Sequence, residues 1–305
     1  MKTVLLFLAF LGFASADAQE MKVSTGTLKH YENFKSDYIE PRNVDVWLPD
    51  GYSDTKKYAV LYMHDGQMLF DANTTWNKQE WTVDEVAGRL IAQGKTEPFI
   101  VVGIASIAKI RHSDLFPQKP FESLTQKSQD SLNELGKDKN QPLFGAKINS
   151  DNYLKFIVKE LKPFIDKNFS VKTDQANTFV AGSSMGGLIS MYAICEYPNV
   201  FGSAACMSTH WPGTFAVDKN PIPKAFLNYL KAHLPSPKDH KIYFDYGDQT
   251  LDALYKPYQL QADEIMKSKG YTSKNWETKF FPGDDHSEKS WSKRLDVPFL
   301  FLLRK

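Results

Sequence analysis

Residues 178–198 read TFVAGSSMGGLISMYAICEYP, and this stretch decides the fold. An apolar run, TFVA, leads into Gly182-Ser183-Ser184-Met185-Gly186, a G-x-S-x-G pattern, and a long apolar segment of helical character follows. Strand, sharp turn and helix in that order form a nucleophile elbow, in which the central serine takes a strained backbone conformation and stands out from the sheet edge. Gly182 and Gly186 fit because strand and helix can approach only where side chains are missing. Ser184 is therefore the candidate nucleophile, with a helix amino terminus behind it that favours negative charge. Ser183 is out of frame, since Ala181 and not glycine stands two residues before it.

Working outward, segments 26–34 (GTLKHYENF) and 42–52 (RNVDVWLPDGY) alternate polar and apolar residues and end in turn signals, as paired edge strands do. KKYAVLYMHDG and PFIVVGIAS are near-continuous apolar runs, the pattern of strands covered on both faces. WTVDEVAGRLIAQGK and DNYLKFIVKELKPFIDKNF have helical spacing, and VFGSAACMST and KIYFDYG return to strand character. Strands alternating with helices predict an α/β fold, a mainly parallel central sheet flanked by helices on both faces, here of the α/β-hydrolase type. Chemistry in such a sheet gathers at the carboxyl ends of the strands. Residues 109–149 break the rhythm and are expected to form a long loop with one short helix over that edge.

The chain has 305 residues, 42% of them hydrophobic, enough for one large domain. Residues 1–18 carry Lys2, an apolar run from Val4 to Phe13, and Ala14, Ala16 and Ala18, the order of an export signal too short to span a bilayer. The expectation is a signal peptide at 1–18, a hydrolase domain at 19–305, a secreted or periplasmic location, and no stable membrane association after cleavage. A net charge of +1, with acids and bases dispersed, speaks against nucleic acid as a partner. Cys195 and Cys206 sit in apolar surroundings and read as small core residues rather than a disulfide, and no metal-ligand spacing is present.

A serine hydroxyl needs a base, which chain order in this fold places last. His286, in the turn-rich loop FFPGDDHSEKSW, meets that condition. His30, His112, His233 and His240 lie in polar stretches and are expected at the surface, while His64 and His210 are expected to line the pocket or support structure. A carboxylate must fix the imidazole tautomer, and it should follow the strand KIYFDYG. Asp248 and Asp252 both satisfy this; Asp245, Asp284 and Asp285 read as structural or solvated. For the oxyanion of ester attack, Met185 N–H supplies one donor by construction of the elbow, and Gln67 N–H, after His64-Asp65-Gly66, is the choice for the second.

With these residues in place, the chain resembles the putative-esterase family of α/β-hydrolases, which includes esterase D, feruloyl and acetylxylan esterases, siderophore esterases and mycolyltransferases. The resemblance rests on PRNVDVWLPDGY, YAVLYMHDGQMLFD, FIVVGIAS, VAGSSMGGLISMYA, LDALYKPYQ and HSEKSW. It implies Ser184 as nucleophile and Gln67 as second oxyanion donor. The family acid commonly lies in G-T-x-D-x-L, whereas Gly247 to Leu254 is longer by two residues; matching the D-x-L half selects Asp252, with Asp248 as the alternative. Arg111-His112-Ser113-Asp114-Leu115-Phe116-Pro117 only partly matches a family R-R-x-E-Y-x-P run, so Arg111 is expected to be a solvated surface arginine, with a substrate contact as the alternative. Trp76, Trp211 and Tyr255 fall near strand ends as candidates for an aromatic wall. The resemblance implies a serine carboxylic-ester hydrolase that needs no cofactor and acts on a small-molecule or polysaccharide ester, with acetyl or feruloyl groups on carbohydrate foremost. The alternatives are a siderophore esterase, an acyltransferase, and a non-catalytic binding protein of the same fold.

Overall fold

A computed structural model of the chain describes residues 21–138, 141–215 and 219–304. The expected export signal at 1–18 lies outside the described residues. Strands β1 (Thr27–Phe34), β2 (Arg42–Leu48), β3 (Ala59–His64) and β4 (Phe99–Ile104) form one end of the sheet. A small hairpin, β5 (Gly136–Asp138) and β6 (Gln141–Pro142), stands apart. The other end is β7 (Thr178–Ser183), β8 (Ser203–Met207), β9 (Lys241–Tyr246) and β10 (Trp276–Phe280). The eight-stranded order is β1-β2-β4-β3-β7-β8-β9-β10. β1 and β2 pair antiparallel, β2 joins β4 antiparallel, and every pairing from β4 to β10 is parallel.

Strands β3, β4, β7 and β8 are buried along their whole length, which explains why they read as continuous apolar runs rather than alternating ones. Their residues divide between two cores. Val60, Tyr62 and Val180 face one, Leu61, Met63 and Ala181 the other, as the two-residue period of a strand requires.

Eleven helices are described: α1 (Val83–Ala92), α2 (Arg111–Leu115), α3 (Gln118–Glu122), α4 (Gln126–Asn133), α5 (Ser150–Phe156), α6 (Lys162–Asn168), α7 (Met185–Glu196), α8 (Ile222–His233), α9 (Lys256–Ser268), α10 (Glu288–Arg294) and α11 (Asp296–Leu303). A π-helical turn, Ile157–Leu161, joins α5 to α6, so the expected single helix there is one continuous run with a local widening. Residues of α2 to α9 contribute to one core, and those of α1, α10 and α11 to the other. Helix α7 is buried from Met185 through Cys195, which is why its sequence is apolar all round.

The sequence expectation for residues 109–149 requires correction. Instead of a loop with one short helix, they hold three helices, α2 to α4, and the β5–β6 hairpin. Aromatic packing organises them: Phe116 meets Phe144 and Phe226 with ring centroids 5.1 Å apart, and Phe121 meets Phe144 at 5.9 Å. Such contacts bring together residues with no common period, so the sequence pattern carried no helical signal for them. Among the described residues, no helix is long and apolar enough to cross a membrane.

Candidate active site

The turn between β7 and α7 places Ser184 at φ 57°, ψ −119°, a conformation that costs an L-residue of order 1–3 kcal/mol and persists only where neighbours over-determine it. They do so here. Ser184 N–H donates to Met207 O at 3.0 Å, and Ser184 O accepts from Leu188 N–H at 3.1 Å and His210 N–H at 3.2 Å. A Cβ on Gly182 would lie 2.7 Å from the Gly186 carbonyl carbon, so the strand and helix touch where G-x-S-x-G leaves both bare.

Three loops at the carboxyl edge converge on this serine. Ser184 Oγ–H donates to His286 Nε2 at 2.9 Å, across 102 residues of sequence. On the far side of the ring, His286 Nδ1–H donates to Asp252 Oδ1 at 2.6 Å. Asp252 is fully buried on a short 3-10 turn, Thr250–Leu254, and its Oδ2 accepts from Gly247 N–H at 2.7 Å and Ser208 Oγ–H at 2.6 Å. Asp248, the alternative, is turned away: its carboxylate accepts from Gly283 N–H and from the Gln249 amide, both at 2.8 Å. Of the two aspartates, Asp252 is the one beside the imidazole.

After β3 the chain turns through Asp65, at φ 57°, into a 3-10 turn, Gly66–Met68. Gly66 has no room for a side chain, since a Cβ there would stand 2.5 Å from the Gly103 carbonyl carbon. Among the described residues, neither Gln67 N–H nor Met185 N–H donates to another protein group. The Gln67 side chain is held aside, accepting from Ser106 N–H at 2.9 Å.

Behind Asp252 lies a charged cluster that sequence reading missed. Arg294, 2% exposed, donates to Asp245 Oδ1 at 2.9 Å, Asp284 Oδ2 at 3.0 Å and Ser208 Oγ at 2.9 Å, and its Nη2 is 3.9 Å from Asp252 Oδ2. Burial pushes the Asp245 carboxyl up, with the Arg294 charge pulling the other way. Asp245 and Asp284, expected to be structural or solvated, are buried and structural, and their shared guanidinium comes from α10, a helix whose partners no spacing rule identifies.

A cleft of about 580 Å³ opens over Ser184 and His286. Trp76 stands on its rim, 83% exposed, with Asn77 Nδ2 donating to Glu288 Oε2 at 2.9 Å beside it. On the wall, Arg111 clamps Asp65 through Nε at 2.6 Å and Nη2 at 2.7 Å, and Ser106 Oγ–H adds a bond at 2.7 Å. Burial raises the Asp65 carboxyl, but the Arg111 charge and these hydrogen bonds outweigh it and leave it below the usual range. Arg111 is thus ion-paired within the cleft, not a solvated surface arginine.

Trp211 and Tyr255 do not form a wall. Both are fully buried, Trp211 Nε1–H donating to Gln259 Oε1 at 3.0 Å and Tyr255 packing under the His286 ring. Trp81 and Trp291 are the other tryptophans that line the cleft, and the two rings meet at 5.2 Å. His112 and His240, expected at the surface, are buried; His112 Nε2 is 2.8 Å from Gly213 O and His240 Nε2 2.8 Å from Pro198 O. His64 is buried against Tyr153, and burial brings its imidazole down to about 4. Cys195 and Cys206 are buried free thiols. Among the described residues no group of three or more His, Cys, Asp and Glu is placed to hold a metal ion.

Comparison with known proteins agrees with this architecture. The family model described as "Putative esterase" matches residues 38–302. An endo-1,4-beta-xylanase/feruloyl esterase of Xylanibacter ruminicola is 27% identical over 221 residues, which is 68% of this chain but 24% of that much longer protein. The uncharacterized protein YbbA of Bacillus subtilis is 23% identical over 83% of this chain and 89% of its own length. Among solved structures, a ferulic acid esterase superposes with a TM-score of 0.63 at 19% identity, covering 92% of this chain and 98% of that one. The enterobactin esterase of Shigella flexneri gives 0.61 at 17% identity, covering 92% and 60%. These superpositions share the α/β-hydrolase fold.

Proposed function

The chain belongs to the putative esterase family, and on that footing we propose that it is a serine esterase that hydrolyses carboxylic esters through an acyl-enzyme on Ser184. The observation that carries the reading is the continuous hydrogen-bonded line from Ser184 Oγ through the His286 ring to buried Asp252, at 2.9 and 2.6 Å. In this reading His286 takes the Ser184 proton as Oγ attacks the ester carbonyl, and Asp252 holds the imidazole in the required tautomer and offsets its charge. The oxyanion is received by Gln67 N–H and Met185 N–H, which among the described residues have no protein acceptor to give up. His286 then protonates the leaving alcohol, and a water activated by the same imidazole releases the acid.

For the substrate we propose an acyl group carried on carbohydrate, acetyl or feruloyl. An exposed tryptophan beside Asn77, Gln79 and Glu288 offers one stacking face and several hydrogen-bonding groups, as a sugar requires. The relative from Xylanibacter ruminicola, named for feruloyl esterase activity, supports the same choice. We further propose that residues 1–18 are removed on export and that residues 19–305 act outside the cytoplasm as one hydrolase domain.

A fluorophosphonate probe should label the wild-type protein and leave Ser184→Ala unlabelled; no labelling of the wild type overturns the serine mechanism. Acetylated xylan, methyl ferulate and a catecholate lactone then separate the substrate classes. Turnover of the lactone alone would move the assignment to siderophore esters.

A further inference from the structure

One hydrogen bond to Asp252 does not fix the His286 ring, because the imidazole remains free to swing about the line from Nδ1 to the carboxylate oxygen. Two further residues close that freedom. The Tyr255 ring meets His286 edge-on at 5.7 Å and 80°, and Trp291 does so at 5.0 Å and 84°. Tyr255 Oη lies 3.5 Å from His286 Nδ1 and 2.8 Å from His210 Nδ1. His210 in turn donates its backbone N–H to the carbonyl of Ser184 at 3.2 Å. One residue therefore holds the nucleophile's own peptide and, through a tyrosine hydroxyl, the ring that must meet that nucleophile.

Resting on the serine-esterase reading, we propose that His210 and Tyr255 are a positioning pair that ties the Ser184 elbow to His286 and sets the angle at which the imidazole faces Oγ. The pair is suited to hold rather than to transfer a proton. Both side chains are buried. Burial drives the His210 imidazole well below its ordinary range, with the charges of His112, His286 and Arg111 acting in the same direction, so it is neutral. Burial, with the Asp252 charge, drives the Tyr255 hydroxyl well above its own range, so it keeps its proton. His210 Nε2 has no partner among the described residues. A buried N–H without an acceptor is the rarer orphan, which places the His210 proton on Nδ1, donating to Tyr255 Oη. The Tyr255 O–H is then turned away from His210, toward Ser184, and its oxygen faces the His286 Nδ1–H at 3.5 Å.

Tyr255→Phe keeps the ring contact and removes the hydroxyl. Its kcat should fall by about 10- to 100-fold, the scale of a misplaced reacting group, while KM changes by less than about threefold. The rate of fluorophosphonate labelling should fall in parallel, and the low-field proton resonance of the His286–Asp252 hydrogen bond should move. His210→Ala should match this loss, and His210→Asn, whose amide can occupy the place of Nδ1, should recover most of it. A wild-type kcat in Tyr255→Phe, or equal losses in His210→Ala and His210→Asn, overturns the proposal. Where Tyr255→Phe does not fold, the two His210 variants decide the matter by the same criterion. Failure of the underlying reading looks different: the wild-type protein itself would then be neither labelled nor active on any ester.

Discussion

Two arginine–carboxylate clusters flank the site, and they differ in access to water. Arg294 is sealed behind Asp252 with its side chain 2% exposed, bonded to Asp245, Asp284 and Ser208. Arg111, with its side chain 30% exposed, clamps Asp65 on the wall of the cleft. A sealed cluster cannot meet substrate, so it acts on rigidity and on the exact seat of the carboxylate next to His286. The open cluster lines the cleft beside Ser184 and His286, and its effect should fall on binding. The same pairing of residue types is thus expected to serve different ends according to its access to water.

The comparison breaks first if Asp252 is not the member of the sealed side that speaks to the base. Asp252→Asn should lower kcat by about 10³- to 10⁴-fold, whereas Asp248→Asn, half-buried and bonded to Gly283 N–H away from the imidazole, should stay within about twofold of wild type. Steady-state kinetics on one ester decides it, and the reverse order would place the wrong aspartate beside His286.

Arg294→Met sharpens the contrast in stability. It strands buried carboxylates without their common partner, for an expected loss of about 3–5 kcal/mol in urea unfolding. A loss under about 1 kcal/mol would mean that Asp245 and Asp284 do not depend on the guanidinium for their burial.

The smallest effect is expected at the open cluster. Arg111→Gln should raise KM by roughly tenfold with a lesser change in kcat, and should cost about 1–2 kcal/mol of stability, because water in the cleft reaches Asp65 once the guanidinium is gone. A stability loss equal to that of Arg294→Met would erase the distinction between the two clusters.

The fold was legible where local pattern and burial agree. β3, β4, β7 and β8 read as covered strands because each is a short run with both faces packed, and the elbow read as a turn because strand–helix contact there excludes side chains at Gly182 and Gly186. Residues 109–149 were illegible because Phe116, Phe121, Phe144 and Phe226 find each other across turns without a period. Trp211 and Tyr255 misled for a related reason: proximity to a strand end does not say whether a ring points into the cleft or beneath it.

By itself, then, the sequence determined the strand order of the chain's alternation, the turn that presents Ser184, and the late loop that carries His286, all of which follow from spacing within a few residues of a strand. Only the tertiary structure decided which of two aspartates four positions apart turns inward. It alone brought Arg294 and Ser208 behind that carboxylate, and His210 and Tyr255 beneath the imidazole. Those contacts join residues 31 to 86 positions apart, and their geometry is set by how loops pack over the sheet edge, a property that no local propensity encodes.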